Sequence, residues 1–401
     1  MPAGGADATR AASLGPLLET HRVVLCVGCG GVGKTTTCAA LGLAAARRGK
    51  RVLCLTIDPA RRLAESLGLT QVRTEGQRVA PELLAAAGLE VPGSLTVMML
   101  DPKSTFDGLI AALAPTAEKR EWILGNALYQ YISTSLAGTQ EYMAMEKLYA
   151  VKDDPSYDLV LLDTPPTSHA LDFLDAPARL VDAMDSVAVR WLLKAFQASG
   201  GLSLNLLART AATVLRGIGR IVGGELLEQI GRFASELNAL FGGWRKRAAE
   251  VATALRGPDV AYVLVTTPER MCVREVLYFA ERLESLGLRA DAFVVNRMHP
   301  AVECVATTEL GRRALAARGL ELELGGAERV AEAARQEKRL AELDRLNLTA
   351  IEEVLAPTSA PSAASAPPAG PLVVRVPDFA THIHDLHGLA WVAEALAPVV
   401  P

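Results

Sequence analysis

Gly28-Cys29-Gly30-Gly31-Val32-Gly33-Lys34-Thr35 decides the reading of this chain. The octapeptide fits G-x4-G-K-[ST]. It stands between an apolar, β-branched run, Val23-Val24-Leu25-Cys26-Val27, and helix-forming sequence that continues to Arg48. Strand, glycine loop and helix in that order are the setting in which the pattern carries chemistry. Glycines let backbone N–H groups turn inward and cradle phosphate oxygens, and the helix N-terminus adds partial positive charge. Lys34 is placed to reach the β- and γ-phosphates, and Thr35 to set a hydroxyl on Mg2+. The same residues also spell Gly28-x-Gly30-x-x-Gly33, a dinucleotide fingerprint, with Asp58 as its ribose-binding acid. That reading explains neither Lys34-Thr35 nor a second acid, Asp163, after another apolar strand. The loop therefore predicts binding of ATP and Mg2+ by Gly28, Gly30, Gly31, Val32, Gly33, Lys34, Thr35 and Thr36.

Outward from the loop, apolar runs recur at 52–57, 95–100, 159–162, 261–265, 292–295 and 372–376. They are continuous and not alternating, as in a parallel sheet with both faces covered. Polar residues stand where runs stop: Asp58, Asp101, Asp163, Thr266 and Asn296. In open α/β sheets that carboxyl edge binds ligands. The expectation is an α/β fold: a mostly parallel P-loop sheet flanked by helices, with an inserted α-helical subdomain. The sheet domain takes 21–102, 151–175 and 257–401, after a loose leader over 1–20. The helical part takes 103–150 and 176–256. Its apolar residues recur at spacings of three and four between Leu206 and Ile230. That fits either a subdomain packed on itself or an apolar groove aided by Met143, Met145 and Met184. Residues 356–371, rich in Ala, Pro and Ser, read as a flexible linker inside the sheet domain.

Composition narrows the functions further. Among 401 residues half are hydrophobic, which supports a large core and excludes wholesale disorder. A net charge of −4 and few aromatics argue against a nucleic-acid partner. Six cysteines include the C-x-x-C of Cys26 and Cys29, but no second pair at metal-ligand spacing, so reduced thiols are expected. No secretory leader is legible. No run of about 18 uncharged apolar residues occurs, so no stable membrane insertion is expected. The nearest candidate, 204–222, is interrupted by Arg209, Arg216 and Arg220. The end of the chain, 389–400, has no Lys or Arg to make a basic membrane-surface helix. A cytoplasmic location follows. His382, His384 and His387 read as surface histidines, Glu141 and Glu146 as helix-surface charges, and 312–339 as solvated helix.

At this point a family resemblance becomes specific. Gly30-Gly31-Val32-Gly33-Lys34-Thr35-Thr36 resembles the deviant Walker A loop of the ParA/MinD/ArsA group. Asp58-Pro59-Ala60 resembles switch I of the ArsA branch. Asp163-Thr164-Pro165-Pro166-Thr167-Ser168-His169-Ala170-Leu171 resembles its switch II, usually D-T-A-P-T-G-H-T-L. Asn296 sits where that branch reads adenine, and Val376-Pro377-Asp378 resembles the loop against the adenine. The branch contains the arsenite-pump ATPase and the ATPase that delivers tail-anchored membrane proteins. The resemblance implies an ATP-driven dimer, either a homodimer or a heterodimer with a related ATPase, and helices that bind a client with an apolar segment or a protein partner. It implies that Asp58 positions or activates the attacking water. It also implies that Asp163 supports Mg2+ through water, and that Thr164 to Leu171, His169 included, report the γ-phosphate.

Three departures qualify what the resemblance implies. The family's signature lysine, which reaches the partner's ATP, is replaced by Cys29. A substitute group, a different partner chain or slow hydrolysis would follow. The helical region lacks the zinc-binding C-x-x-C of the tail-anchor factor. Neither Cys272 nor Cys304 lies in the helical part, where an arsenite site would gather thiols. The leading expectation is a dimeric switch ATPase. The alternatives are a low-turnover scaffold working with a paralogue and an arsenite-pump subunit.

Overall fold

The computed structural model describes residues 12–57, 63, 67–69, 74–135, 139–164, 175–176, 179, 181–182, 224–301, 308–319, 325–355 and 370–399. The chain divides into two compact units. One comprises 1–99, 155–170 and 258–401, the other 100–154 and 171–257.

The first unit is built on an eight-stranded sheet. Its strands are β1 (Val23–Gly28), β2 (Arg51–Thr56), β3 (Gln77–Arg78), β4 (Ser94–Met99), β5 (Leu159–Asp163), β6 (Val260–Thr266), β7 (Ala292–Met298) and β8 (Leu372–Pro377). They lie in the order β3-β4-β2-β5-β1-β6-β7-β8. Every pairing is parallel except β3 with β4. The expected α/β class and mostly parallel sheet are thus found. β3 escaped the sequence because two polar residues on an edge leave no pattern to read. All six residues of β1 and all seven of β6 are buried, which explains their unbroken apolar runs. The helix Lys34–Arg47 packs into the same core with small residues, Ala39, Ala40, Ala44, Ala45 and Ala46, each almost wholly buried.

The expected leader over 1–20 needs correction. Gly15–Thr20 is a helix, Leu14, Leu17 and Leu18 are buried in the sheet unit's core, and the Leu14 amide donates to the Leu396 carbonyl. Leucines three and four apart give this turn an apolar face, so the core captures it. Residues 1–11 lie outside the described residues. So do 356–369 of the expected linker and most of the apolar run that begins at Leu206.

The second unit contains the helices Pro102–Leu113, Ala117–Leu124, Ala127–Ser135, Thr139–Lys152 and Gly224–Ala254. Asp101 and Thr116 cap the first two, accepting from the Ser104 and Lys119 amides. The core is aromatic. Phe106 stands 5.4 Å from Tyr129 and 5.2 Å, edge-on, from Trp244, ring centre to ring centre. Met143 and Met145 are buried and so do not line an exposed groove, while Met184 lies outside the described residues. Glu146 is no surface charge. It is 6% exposed, and one of its oxygens accepts from Arg247 at 2.8 and 2.6 Å. Burial at that position requires a partner, and the long Gly224–Ala254 helix supplies one.

Candidate phosphate-binding site

β1 lies mid-sheet between β5 and β6 and ends in the glycine loop. Register sets Cys26 of β1 and Thr56 of β2 opposite Asp163, the last residue of β5. Three strands thus carry one acid to the floor beneath the loop. Asp163 is 2% exposed. One of its oxygens accepts from the Thr35 hydroxyl at 2.7 Å and from the Thr56 hydroxyl at 3.3 Å. Thr164 donates from its hydroxyl to the Cys26 carbonyl at 2.9 Å, so the chain leaves β5 tied to β1.

The loop is shaped by backbone needs. Gly33 has φ +97, a left-handed value that side chains resist, and a Cβ there would also strike the Asn296 amide. A Cβ on Gly28 would overlap the Val265 carbonyl of the neighbouring strand. Gly30 and Gly31 are exposed at the tip, leaving the backbone bare on the side where a phosphate chain would lie. Lys34 is buried and its ammonium donates to the Cys29 carbonyl at 2.8 Å, bridging the loop from end to end. Val32 is buried, its carbonyl accepting from Asn296 Nδ2 at 2.9 Å. Thr36 lies in the first turn of the helix.

The cradle fits a nucleotide's phosphates. It has bare glycines, a cation anchored within reach, and a helix N-terminus of full length. An all-oxygen set of Thr35, Thr56 and Asp163 suits Mg2+ rather than a softer metal. Thr56 was missed in the sequence. Its signal was present in the last position of an apolar strand, but only the register against β5 shows that it meets Asp163.

The structure brings together most sequence-derived candidates that it describes. Asn296, near the end of β7, reaches the loop itself. Beside it on β8, Val376 is buried in the core while Pro377 and Asp378 are exposed, and the Asp378 amide donates to the Met298 carbonyl at 2.8 Å. Asp58, Pro59, Ala60, Pro165, Pro166, Thr167 and His169 lie outside the described residues, as does Cys304.

The cysteines near the loop are packed inward. A hydrogen bond with Cys38, and then complete burial, hold the Cys26 thiol well above the ordinary thiol range. Cys29 is 4% exposed, and its thiol faces the Cys272 carbonyl at 3.8 Å. The three terminal histidines are exposed. His384 Nδ1 lies 2.8 Å from the His382 carbonyl, and His387 stands edge-on to Trp391.

Comparison with known proteins now places the chain. ATPase GET3 of Paracoccidioides lutzii is 28% identical over 282 residues, covering 70% of this chain and 74% of that protein. ATPase GET3 of Phaeosphaeria nodorum is 26% identical over 320 residues, covering 77% of this chain and 89% of that one. The sequence profile of the anion-transporting ATPases matches residues 21–314, a span that holds the loop, Asp163 and Asn296. With the geometry around Lys34, Thr35 and Asp163, that match makes this chain an ATP-binding ATPase and a member of the anion-transporting ATPase family.

Proposed function

We propose that this chain binds Mg-ATP at Gly28–Thr36 and works as a dimeric switch, coupling hydrolysis to a client or partner held by the helical unit. The observation that carries the reading is the short Thr35–Asp163 hydrogen bond beneath a loop closed by Lys34. Its oxygens would hold Mg2+, Asp163 through water, and the ion when bound neutralises charge on the transferring phosphate. Lys34 exchanges the Cys29 carbonyl for phosphate oxygens. Asp58 places or activates the water. Asn296, with Val376, Pro377 and Asp378, receives the adenine. Asp58 to Ala60 and Asp163 to His169 carry the phosphate state outward.

The helical unit is the place for the client. In it a cavity of about 550 Å³ is lined by small residues, among them Gly108, Ala112 and Gly243, and by Lys147, Lys246 and Arg247. Leu109 and Leu113 add apolar surface and Glu146 and Glu250 acidic groups, so the lining can receive an apolar segment or a protein surface. Among the described residues no helix is long and apolar enough to cross a membrane.

A second reading is supported by Cys29. Its buried thiol offers no cation to a neighbouring subunit, so a low-turnover switch acting beside a lysine-bearing paralogue is the alternative. An arsenite pump has less support, because Cys26, Cys38 and Cys54 are fully buried.

Mg-ATPase activity across a range of protein concentrations, with Asp58→Asn as control, tests the proposal. Specific activity that rises with concentration and vanishes in the variant supports the self-sufficient dimer. ATP binding without turnover at any concentration rejects it in favour of the paralogue.

A further inference from the structure

Arg297 is the one non-glycine residue among those described with positive φ, at 58°. It sits at the carboxyl end of β7, immediately after Asn296. Here the pairing with β8 slips: Val295 stands opposite Arg375 and Met298 opposite Pro377, so β7 carries one residue more than its partner. A bulge with a left-handed residue normally takes glycine, and bulges beside active sites re-aim a side chain. This position holds a long cation instead.

The strained turn is pinned on three sides. Asn296 Nδ2 donates to the phosphate-loop carbonyl of Val32. The Met298 carbonyl accepts from the Asp378 amide. His299 places both its amide and its Nδ1 at 2.9 Å from one oxygen of Asp344, a buried acid on the helix Gly326–Leu355. Strain of this kind persists only where its surroundings over-determine it, and it gathers at functional sites. The pinned backbone leaves the Arg297 side chain exposed, with no ion pair or side-chain hydrogen bond among the described residues. Its neighbour already touches the phosphate loop.

We propose that Arg297 is a nucleotide-contacting residue, whose guanidinium binds the phosphates of the nucleotide held at Gly28–Thr36. The bulge and the left-handed turn serve to aim it. The proposal rests on the phosphate-loop reading above. It assigns the site a cation that its motif does not contain.

The test is isothermal titration calorimetry with Mg-ADP on the full chain, comparing wild type, Arg297→Gly, Arg297→Lys and Lys34→Ala, with melting followed without nucleotide. Glycine suits the backbone, so Arg297→Gly should melt no lower than wild type. It should bind Mg-ADP about tenfold more weakly, the scale of a charge-assisted hydrogen bond. Arg297→Lys should recover most of that loss. Affinity within about twofold of wild type in Arg297→Gly, equal loss in glycine and lysine variants, or a lower melting temperature in Arg297→Gly would each overturn the proposal. Wild type that binds no Mg-ADP would remove the phosphate-loop reading and this inference together. Binding lost in Lys34→Ala but kept in Arg297→Gly would remove only the inference.

Discussion

In the sheet unit the core is aliphatic. Leu25, Leu41, Leu53 and Leu55 are wholly buried, and the polar groups gather at the strand ends, where Thr35, Thr56 and Asp163 bond to one another. In the helical unit the core is aromatic, and polar atoms are caught inside it. The Tyr142 hydroxyl, the Trp244 indole N–H and the Glu146 carboxylate lie buried together, and burial, then the charge of Glu146, raise the Tyr142 phenol above its ordinary range. Removing one partner from such a buried polar group costs about 1–3 kcal/mol. The sheet unit therefore gathers polar groups at the carboxyl edge of its sheet. The helical unit threads them through its packing, so its stability depends on buried polar contacts that a single substitution breaks.

The sharpest way to break this contrast is at the loop. Lys34→Ala should lower the ATPase turnover by about a thousandfold or more, the loss of a charge aimed at the transferring phosphate. Steady-state release of phosphate measures it. Turnover within about tenfold of wild type would mean that this polar edge is not the chemical one.

The next effect belongs to the helical core. Trp244 touches Phe106 and Tyr142, so Trp244→Ala should destabilise that unit by about 3 kcal/mol or more. Hydrogen exchange should show the loss of protection confined to the helices within 100–154 and 224–254. Mg-ADP affinity should stay unchanged. Equal loss of protection in β1 and β6 would show that the two units respond as one.

A pair of smaller changes compares two buried polar contacts within the same core. Tyr129 donates to Asp107 at 2.6 Å, and burial followed by that bond raises its phenol above the ordinary range. Tyr129→Phe should cost about 1–2 kcal/mol in urea unfolding. Trp244→Phe keeps a ring and removes the donor that faces Tyr142, so it too should cost about 1–2 kcal/mol. A cost near zero would show that the indole N–H contributes nothing beside Tyr142.

How far the sequence disclosed all this follows the same division. The loop, Lys34, Thr35, Asp163 and Asn296 were legible, because phosphate binding demands fixed residue types at fixed short spacings. The parallel sheet was legible because strands buried on both faces leave continuous apolar runs. Thr56 was not, since its role depends on β2 lying beside β5, and neighbours in a sheet leave no trace in chain spacing. Glu146 was misread for a similar reason. Its partner Arg247 lies far along the chain, and no local pattern distinguishes a buried glutamate from a solvated one. The helix at Gly15–Thr20 was passed over because its few leucines show a face only when a core is present to receive it.

The smallest expected effect tests the sheet unit at its edge. Arg51, which opens β2, meets Asp158 just before β5 in a two-pronged contact. Its Nε donates to one carboxylate oxygen at 3.0 Å and a terminal nitrogen to the other at 2.6 Å. Hydrogen bonds from the Arg51 side chain, and then from its amide, hold the Asp158 carboxyl down at about 2. A depressed carboxyl contributes stability that is fully present above its unfolded value, about 3.9, and is lost as pH falls toward its folded one. Both side chains are well exposed, so solvent screening keeps the contribution below about 1 kcal/mol. Asp158→Asn should therefore be slightly less stable than wild type at pH 6, and the difference should shrink between pH 4 and pH 2, as read from urea midpoints. A gap that stays constant down to pH 2 would assign the contact to packing rather than charge. The sheet unit's stability would then owe nothing to ion pairing at this point of its rim.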